Sequence, residues 1–245
     1  MNMKKKNWLF FPILFMLGVG LFSCNFGNTG NVGTYTGFPA VVTSNYNTGG
    51  ILLGVPNFGY LAAPGLINFY DGDCIFMNQF TIDRNDVSSS PYFTASNINA
   101  IKINQSAYEE SDTVEIDDYT LPISSISGIS SCEFYQGKFF VTINCGDSSP
   151  AFRLVYKNNE DGGDGTKNFY LLAKASGTTT SVTPTIYAFD VLPLILMCQQ
   201  DTTVQNLDYL FINANLKYFS GFSDAGAPNF PSAQTFIVPV LLNNQ

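Results

Sequence analysis

The chain of 245 residues contains no histidine, and its single tryptophan, Trp8, lies in the N-terminal segment. The first absence removes Ser-His-Asp and Cys-His catalysis, histidine-based zinc sites and imidazole pH switching together. The second weakens the flat indole platform on which many sugar-binding surfaces rest, although 13 Tyr and 22 Phe remain. Charge is scarce, at 12% of residues, and lopsided: 11 Lys and Arg face 19 Asp and Glu. No basic cluster follows Lys4-Lys5-Lys6, so nothing is placed to neutralise a phosphate backbone, and no nucleic-acid partner is expected. Missing too is any stretch with a sustained 3.6-residue apolar period, which leaves no long amphipathic helix to expect. Any reaction would have to rest on carboxylates, Lys, Tyr or Ser.

What is present starts with Lys4, Lys5 and Lys6, an apolar run from Trp8 to Phe22, and the tetrad Leu21-Phe22-Ser23-Cys24. The run is shorter than the ~18 residues a membrane span needs, and Pro12 interrupts it. Signal peptidase II requires a leucine-like residue three before its cut, a small residue just before it and a cysteine after it. Leu21, Ser23 and Cys24 meet all three conditions. The expectation is a bacterial lipoprotein whose signal peptide, residues 1–23, is removed and whose Cys24 carries palmitate-type acyl chains. Several chains anchor stably where one is marginal, so the protein would sit on a membrane rather than in it. The three signal lysines depart with the peptide, and the mature surface would be kept soluble by its surplus of acid.

Residues 24–49 are rich in Gly, Asn and Thr with scattered apolar positions, and read as a flexible tether from the lipidated cysteine. Beyond it, short runs of Val, Ile, Phe, Tyr and Thr recur between Gly, Asn, Asp and Pro clusters. Phe139, Val141 and Ile143 alternate with Phe140, Thr142 and Asn144; Leu210, Ile212, Ala214, Leu216 and Tyr218 alternate with Phe211, Asn213, Asn215 and Lys217. Such period-2 patterns are strands with one buried face. Further strands are expected near 50–55, 73–82, 97–104, 113–117, 151–157, 168–174, 185–190 and 234–242. The fold class is all-β: a small N-terminal barrel over 50–110, then an antiparallel β-sandwich over 111–245, with the boundary in the acidic stretch 108–113. Outside the cytoplasm Cys74, Cys132, Cys145 and Cys198 could form disulfides, but their pairing is open. With a turn at Gln136-Gly137, Val141 faces Cys132, so a Cys132–Cys145 bridge would need a bulge. Buried free thiols are the simpler reading.

Three groups of residues invite a functional reading. Asn158, Glu160, Asp161 and Asp164 gather oxygen ligands in a glycine-containing loop, as a calcium site would, yet without the spaced Asp-x-Asp-x-Asp-Gly order or a closing Glu. A plain turn between two strands needs the same residues. The pairs Glu109-Glu110 and Asp117-Asp118 could be offered as the acid and base of a carbohydrate hydrolase, but neighbours on a strand point to opposite faces. Tyr218, Phe219, Phe222 and Phe230 place rings among turn residues, either as a ligand loop or as an apolar plug over the end of the sandwich.

Segments 72–80 (Gly72-Asp73-Cys74-Ile75-Phe76-Met77-Asn78-Gln79-Phe80), 98–103 (Ile98 to Ile103), the hairpin 134–139 with Arg153-Leu154-Val155, and Ala188-Phe189-Asp190-Val191 resemble the NigD-like lipoproteins of Bacteroidales. An extra cysteine at Cys74 and the long 219–233 segment depart from that pattern. The resemblance implies a small barrel followed by a β-sandwich, and an outer-membrane lipoprotein without an established enzymatic role. Surface-directed lipoproteins of such bacteria often carry acid just after the cysteine, and Asn25-Phe26-Gly27-Asn28 has none, which favours the periplasmic leaflet. The same bacteria attach O-glycans at Asp-Thr followed by a small apolar residue or Thr, so Thr113 and Thr202 are candidate glycosylation sites. The expected function is that of a non-catalytic, lipid-anchored binding or accessory module, with no cofactor or metal and a glycan or envelope protein as partner. Its rivals are an adhesin or pilus-type subunit, against which the absence of any Arg before Arg84 counts, and a carboxylate-dependent hydrolase.

Overall fold

The computed structural model describes residues 32–44, 50–84, 92–129, 134–161, 166–199 and 209–241. The expected signal peptide with Leu21, Ser23 and Cys24, the first part of the expected tether, and Cys132, Asp164 and Thr202 lie outside these residues. No helix among the described residues is long and apolar enough to cross a membrane.

The N-terminal unit is a closed five-stranded barrel. Its strands are β1 (Val32–Tyr35), β2 (Phe38–Ser44), β3 (Ile51–Val55), β4 (Gly59–Ala62), β5 (Cys74–Asp83) and β6 (Phe93–Lys102). β1 and β2 follow one another along the same edge of β5, Tyr35 opposite Phe80 and Phe38 opposite Met77, and so act as one bent strand. The ring then runs β2, β3, β4 and β6, and closes because β6 also pairs with β5. Two irregularities in the β5–β6 register, with Asn97 at a φ of 50°, supply local bends of the kind that help a sheet close on itself. Inside, Phe80 is fully buried and packs against the rings of Tyr35, Phe38 and Phe58 at 5.3, 5.8 and 5.6 Å.

This arrangement corrects two expectations. Residues 32–44, expected within the tether, are strands with Ala40, Val41 and Val42 buried. The apolar FPAVVT run outweighs the glycines around it once a neighbouring strand is there to cover it. The unit also ends at 103 rather than 110, because β7 (Asn104–Ala107) and β8 (Glu109–Ser111) already belong to the second unit.

That second unit is a sandwich of two sheets. Its remaining elements are β9 (Ile123–Gly128), β10 (Phe134–Tyr135), β11 (Lys138–Asp147), β12 (Ala151–Lys157), a single 3-10 turn over Asn158–Glu160, β13 (Lys167–Lys174) and β14 (Thr179–Asp190). There follow α1 (Leu192–Gln199), β15 (Tyr209–Tyr218), β16 (Gly221–Phe222), β17 (Pro228–Asn229) and β18 (Ser232–Leu241). One sheet runs β10, β11, β14, β7, with β9 on the same side of β11 as β10; the other runs β18, β15, β13, β12, β8. The long ladders are antiparallel, as expected, while β7 on β14, β8 on β12 and β15 on β13 pair in parallel. β7 and β8 follow one another in the chain yet lie on different sheets, each at an edge, β7 beside β14 and β8 beside β12. Residues 113–117, expected as a strand, are irregular chain after β8.

Between the sheets lie Phe139, Val141 and Ile143 of β11, Leu154 and Tyr156 of β12, Phe169 and Leu171 of β13, Phe189 of β14 and Leu216 of β15. The alternation read along β11, and along β15 at Ala214, Leu216 and Tyr218, thus faces this core. Gln136 and Gly137, both at positive φ (50° and 73°), form the two-residue turn between β10 and β11. The units meet at a shared cluster in which Val41, Cys74 and Ile103 of the barrel side pack with Phe140 and Ala188 of the sandwich. Cys74 and Cys145 are buried free thiols, and Cys74 donates to Gln105 Oε1 at 3.2 Å. Burial pushes the Cys74 thiol up to about 11, so it is an inert core group.

Candidate functional site

Polar side chains converge most densely where β12 turns into β13. β12 ends at Lys157, the 3-10 turn folds over the end of the sheet, and its carboxylates reach opposite faces. Asn168 and Tyr170 of β13 alternate with core-facing Phe169 and Leu171, and the parallel register sets Asn215 beside Asn168 and Lys217 beside Tyr170. On that outer face Glu160 accepts hydrogen bonds from Lys157 Nζ and Tyr170 OH, with Lys217 Nζ at 3.5 Å. Lys217 donates to Tyr170 OH at 2.9 Å and stands 4.8 Å from the centre of its ring. Asn215 donates to Asn168 Oδ1 at 2.9 Å, and Asn168 in turn to the Glu160 carbonyl. On the core-facing side Asp161 accepts from Tyr156 OH at 2.9 Å and pairs with Lys167.

The protonation states follow from these contacts. Hydrogen bonds from Lys157 and Tyr170 hold the Glu160 carboxyl below its ordinary range. Burial, reinforced by the bond to Asp161, pushes Tyr156 up to about 12; burial and Glu160 raise Tyr170. Burial alone would lower Lys167 and Lys217, but their bonds to Asp161, Tyr156, Tyr170 and Glu160 outweigh it and raise both. Every resolved shift here moves a group away from neutrality, whereas a general acid or base works best with a pKa near the working pH. The network can present fixed donors and acceptors and lock a loop.

For the calcium reading, the structure brings Asn158, Glu160 and Asp161 together but spends them otherwise. Asn158 donates to Glu110 Oε1 at 2.9 Å, and both carboxylates are neutralised by lysines. No group of three metal-ligating side chains occurs among the described residues. Lys157, Lys167, Lys217, Tyr156 and Tyr170 are not among the site residues expected from the sequence, although lysines bracketing an acidic loop at 157 and 167 are a usable signal. The acidic pairs do not converge either: Glu109 binds Arg153 at 2.7 Å, Glu110 binds Asn158, and Asp118 binds Lys174 at 2.7 Å.

The aromatic loop is chiefly a cover. Phe219 is fully buried and packs with Val155, Tyr170 and Leu172 on the outer face of the β12–β13 sheet, joined by Phe230 and by Val114, Ile116 and Tyr119. The rings thus lie over a sheet face, not over the end of the sandwich. Tyr218 packs against the core between the sheets, and only Phe222 stands out, 56% exposed. Thr113 is exposed in the turn after β8, with its backbone N–H donating to Ser111 Oγ. Near α1, Phe134, Phe139, Leu154, Phe169, Val191 and Leu194 line an all-carbon cleft of about 340 Å³ counting its open mouth.

No protein-family profile matches this chain. No curated protein matches it by sequence. Solved structures do share its fold. An uncharacterised protein from Parabacteroides merdae superposes with a TM-score of 0.60 at 15% identity, over 84% of this chain and 99% of that one. A candidate lipoprotein from Bacteroides fragilis gives 0.57 at 12%, over 86% and 100%. A NigD-like immunity protein from Bacteroides caccae gives 0.51 at 13%, over 85% and 98%. The barrel-and-sandwich arrangement is therefore common to this chain and these Bacteroidales proteins, as the short NigD-like segments implied.

Proposed function

We propose that this protein is a non-catalytic lipoprotein of a Gram-negative envelope, anchored through acylated Cys24 to the outer membrane and serving there as a binding or accessory module. The carrying observation is the Leu21-Phe22-Ser23-Cys24 tetrad behind a short apolar run. Two findings support the reading. The fold is shared, over about 85% of this chain and nearly the whole of theirs, with a candidate lipoprotein and a NigD-like protein. The densest polar cluster is a set of satisfied ion pairs rather than groups of matched proton affinity. The lack of acid after Cys24 favours the periplasmic leaflet.

The test is metabolic labelling with an alkyne palmitate analogue, with Cys24→Ala as control, combined with protease treatment of intact cells. Label on the native protein that disappears in Cys24→Ala supports the anchor, and protection until lysis supports the inner leaflet. Digestion in intact cells moves the protein to the cell surface and directs the partner search to glycans there. Absence of label overturns the reading.

A further inference from the structure

Among the described residues, the outer face of the sheet built on β12, β13 and β15 is covered only in part. Val155, Tyr170 and Leu172 lie under Phe219, Phe230, Val114, Ile116 and Tyr119. Beyond that cover, on the side of β15 opposite to core-facing Ala214 and Leu216, Asn213 is exposed and Asn215 half-buried. The register sets Asn168 of β13, Asn215 of β15 and exposed Thr235 of β18 side by side. Strands lie about 4.8 Å apart, so this row is about 10 Å long. Asparagine is a poor strand former, because its short amide competes for backbone hydrogen bonds. A face that only had to meet water would be better served by Thr, so three asparagines at adjacent positions serve something other than the strands.

The amides are also aimed. The Glu160 carbonyl can only accept, so Asn168 presents Nδ2 to it and keeps Oδ1 for β15. Asn215 then donates through Nδ2 to that Oδ1 at 2.9 Å, which leaves its own Oδ1 and second N–H for another partner. In the next lane Lys217 is held by Tyr170 OH and Glu160. The half-buried ring of Phe230 meets Tyr170 edge-on at 5.1 Å, and exposed Phe222 continues the same aromatic cluster through Phe219.

We infer that this row is a carbohydrate-binding surface, on which Asn213, Asn215 and Thr235 meet sugar hydroxyls beside the aromatic cover at Phe230. The inference deepens the binding-module reading above and rests on it. An amide sets a donor beside an acceptor, which suits two neighbouring hydroxyls, each of them donor and acceptor in turn. Amides fixed beforehand cost little to order on binding. Lys157 and Lys217 already face Glu160, on a chain with a surplus of acid, so a polyanion is not the occupant. A protein partner would need an apolar centre to the patch, and this row is polar throughout. A neutral, polyhydroxylated ligand fits both conditions.

The test uses the full acylated chain in detergent and four immobilised probes: mannan, dextran, chitin and peptidoglycan. The expected result is retention on at least one, released by soluble oligosaccharide from the same polymer. Asn213→Ala combined with Asn215→Ala should weaken binding roughly tenfold. Thr235→Arg, which puts a bulky cation at the end of the row and removes no asparagine, should weaken it as well. Both variants should keep the native urea midpoint, because they change exposed or half-exposed positions. Retention on none of the four overturns the inference, as does retention that both variants keep or that free oligosaccharide does not displace. Acyl mass on Cys24, read on the same sample, tests the anchor separately. Protein without that mass that a glycan still retains sinks the anchor alone, and acylated protein that no glycan retains sinks this surface alone.

Discussion

The barrel and the sandwich solve the same problem in opposite ways. In the barrel the sheet closes on itself, so β5 pairs on both sides and one side of every strand faces a single aromatic core around Phe80. The sandwich leaves two sheets open, and each outer face has to be covered by something else. The β11–β14 sheet uses the barrel wall, through Phe140 and Ala188 against Val41 and Cys74. The β12–β13 sheet uses its own loops, through Phe219, Phe230, Val114 and Tyr119. Closure costs variety, since a filled barrel has room for chemistry only at its rims. The open sheets keep ends and covers on which Lys157, Lys167, Lys217 and their carboxylate partners can be arranged.

The comparison breaks most sharply at Phe80. Phe80→Ala should lower stability by about 3–5 kcal/mol in urea unfolding, because three rings lose their common neighbour in a closed space that cannot collapse. A loss below about 1 kcal/mol would mean that the barrel is not packed as a unit. The cover of the sandwich sharpens the contrast within one loop. Phe219→Ala should cost about 3 kcal/mol, whereas Phe222→Ala, on an exposed ring, should stay within about 0.5 kcal/mol in the same measurement.

The seam between the units can be probed at Gly54 of β3. A methyl group there would meet the Gln136 side chain at 2.4 Å, so the turn of the β10–β11 hairpin rests directly on the barrel. Gly54→Ala should cost about 1 kcal/mol, and Gln136→Ala should relieve most of that in the double variant. Additive effects would show that the two units do not lean on each other there.

The smallest effect concerns pH. The Glu160 carboxyl is held down by Lys157 and Tyr170, so the stability it contributes is present above the ordinary Glu pKa of 4.5 and is lost as pH falls through its depressed folded value. Glu160→Gln should therefore flatten the acid limb of the stability curve below about pH 4.5 and leave its slope above that unchanged. For Tyr156 the sign is opposite: with its hydroxyl raised to about 12, stability falls as pH rises from 10 toward that value. Tyr156→Phe should remove this alkaline loss, read by circular dichroism.

Much of the fold was legible in short stretches. Period-2 alternation marked β11 and β15, and Gln136-Gly137 marked a hairpin because glycine, and tolerably glutamine, accept positive φ. β1, β2, β4, β7, β8 and β9 escaped because they are short or carry Gly, Ser and Asn, and become strands only when a neighbour completes their hydrogen bonds. α1 escaped because LPLILMCQ is apolar all round and has no helical period to detect. The stretch with Asn158, Glu160 and Asp161 was legible as a carboxylate-rich turn between two strands. Its partners were not, since Lys217 lies 57 positions from Glu160 in sequence and meets it only through the parallel pairing of β15 with β13.

By itself the sequence determined the all-β character, the hairpin turn and the lipoprotein-type tetrad, because each depends on residues within a few positions of one another. Tertiary structure alone decided the boundary at 103, the three parallel pairings of the sandwich, the covering of each open sheet face and the pairing of Glu160 and Asp161 with lysines. Those depend on which distant strand offers the best burial, and that choice is made by the whole core at once rather than by any local pattern.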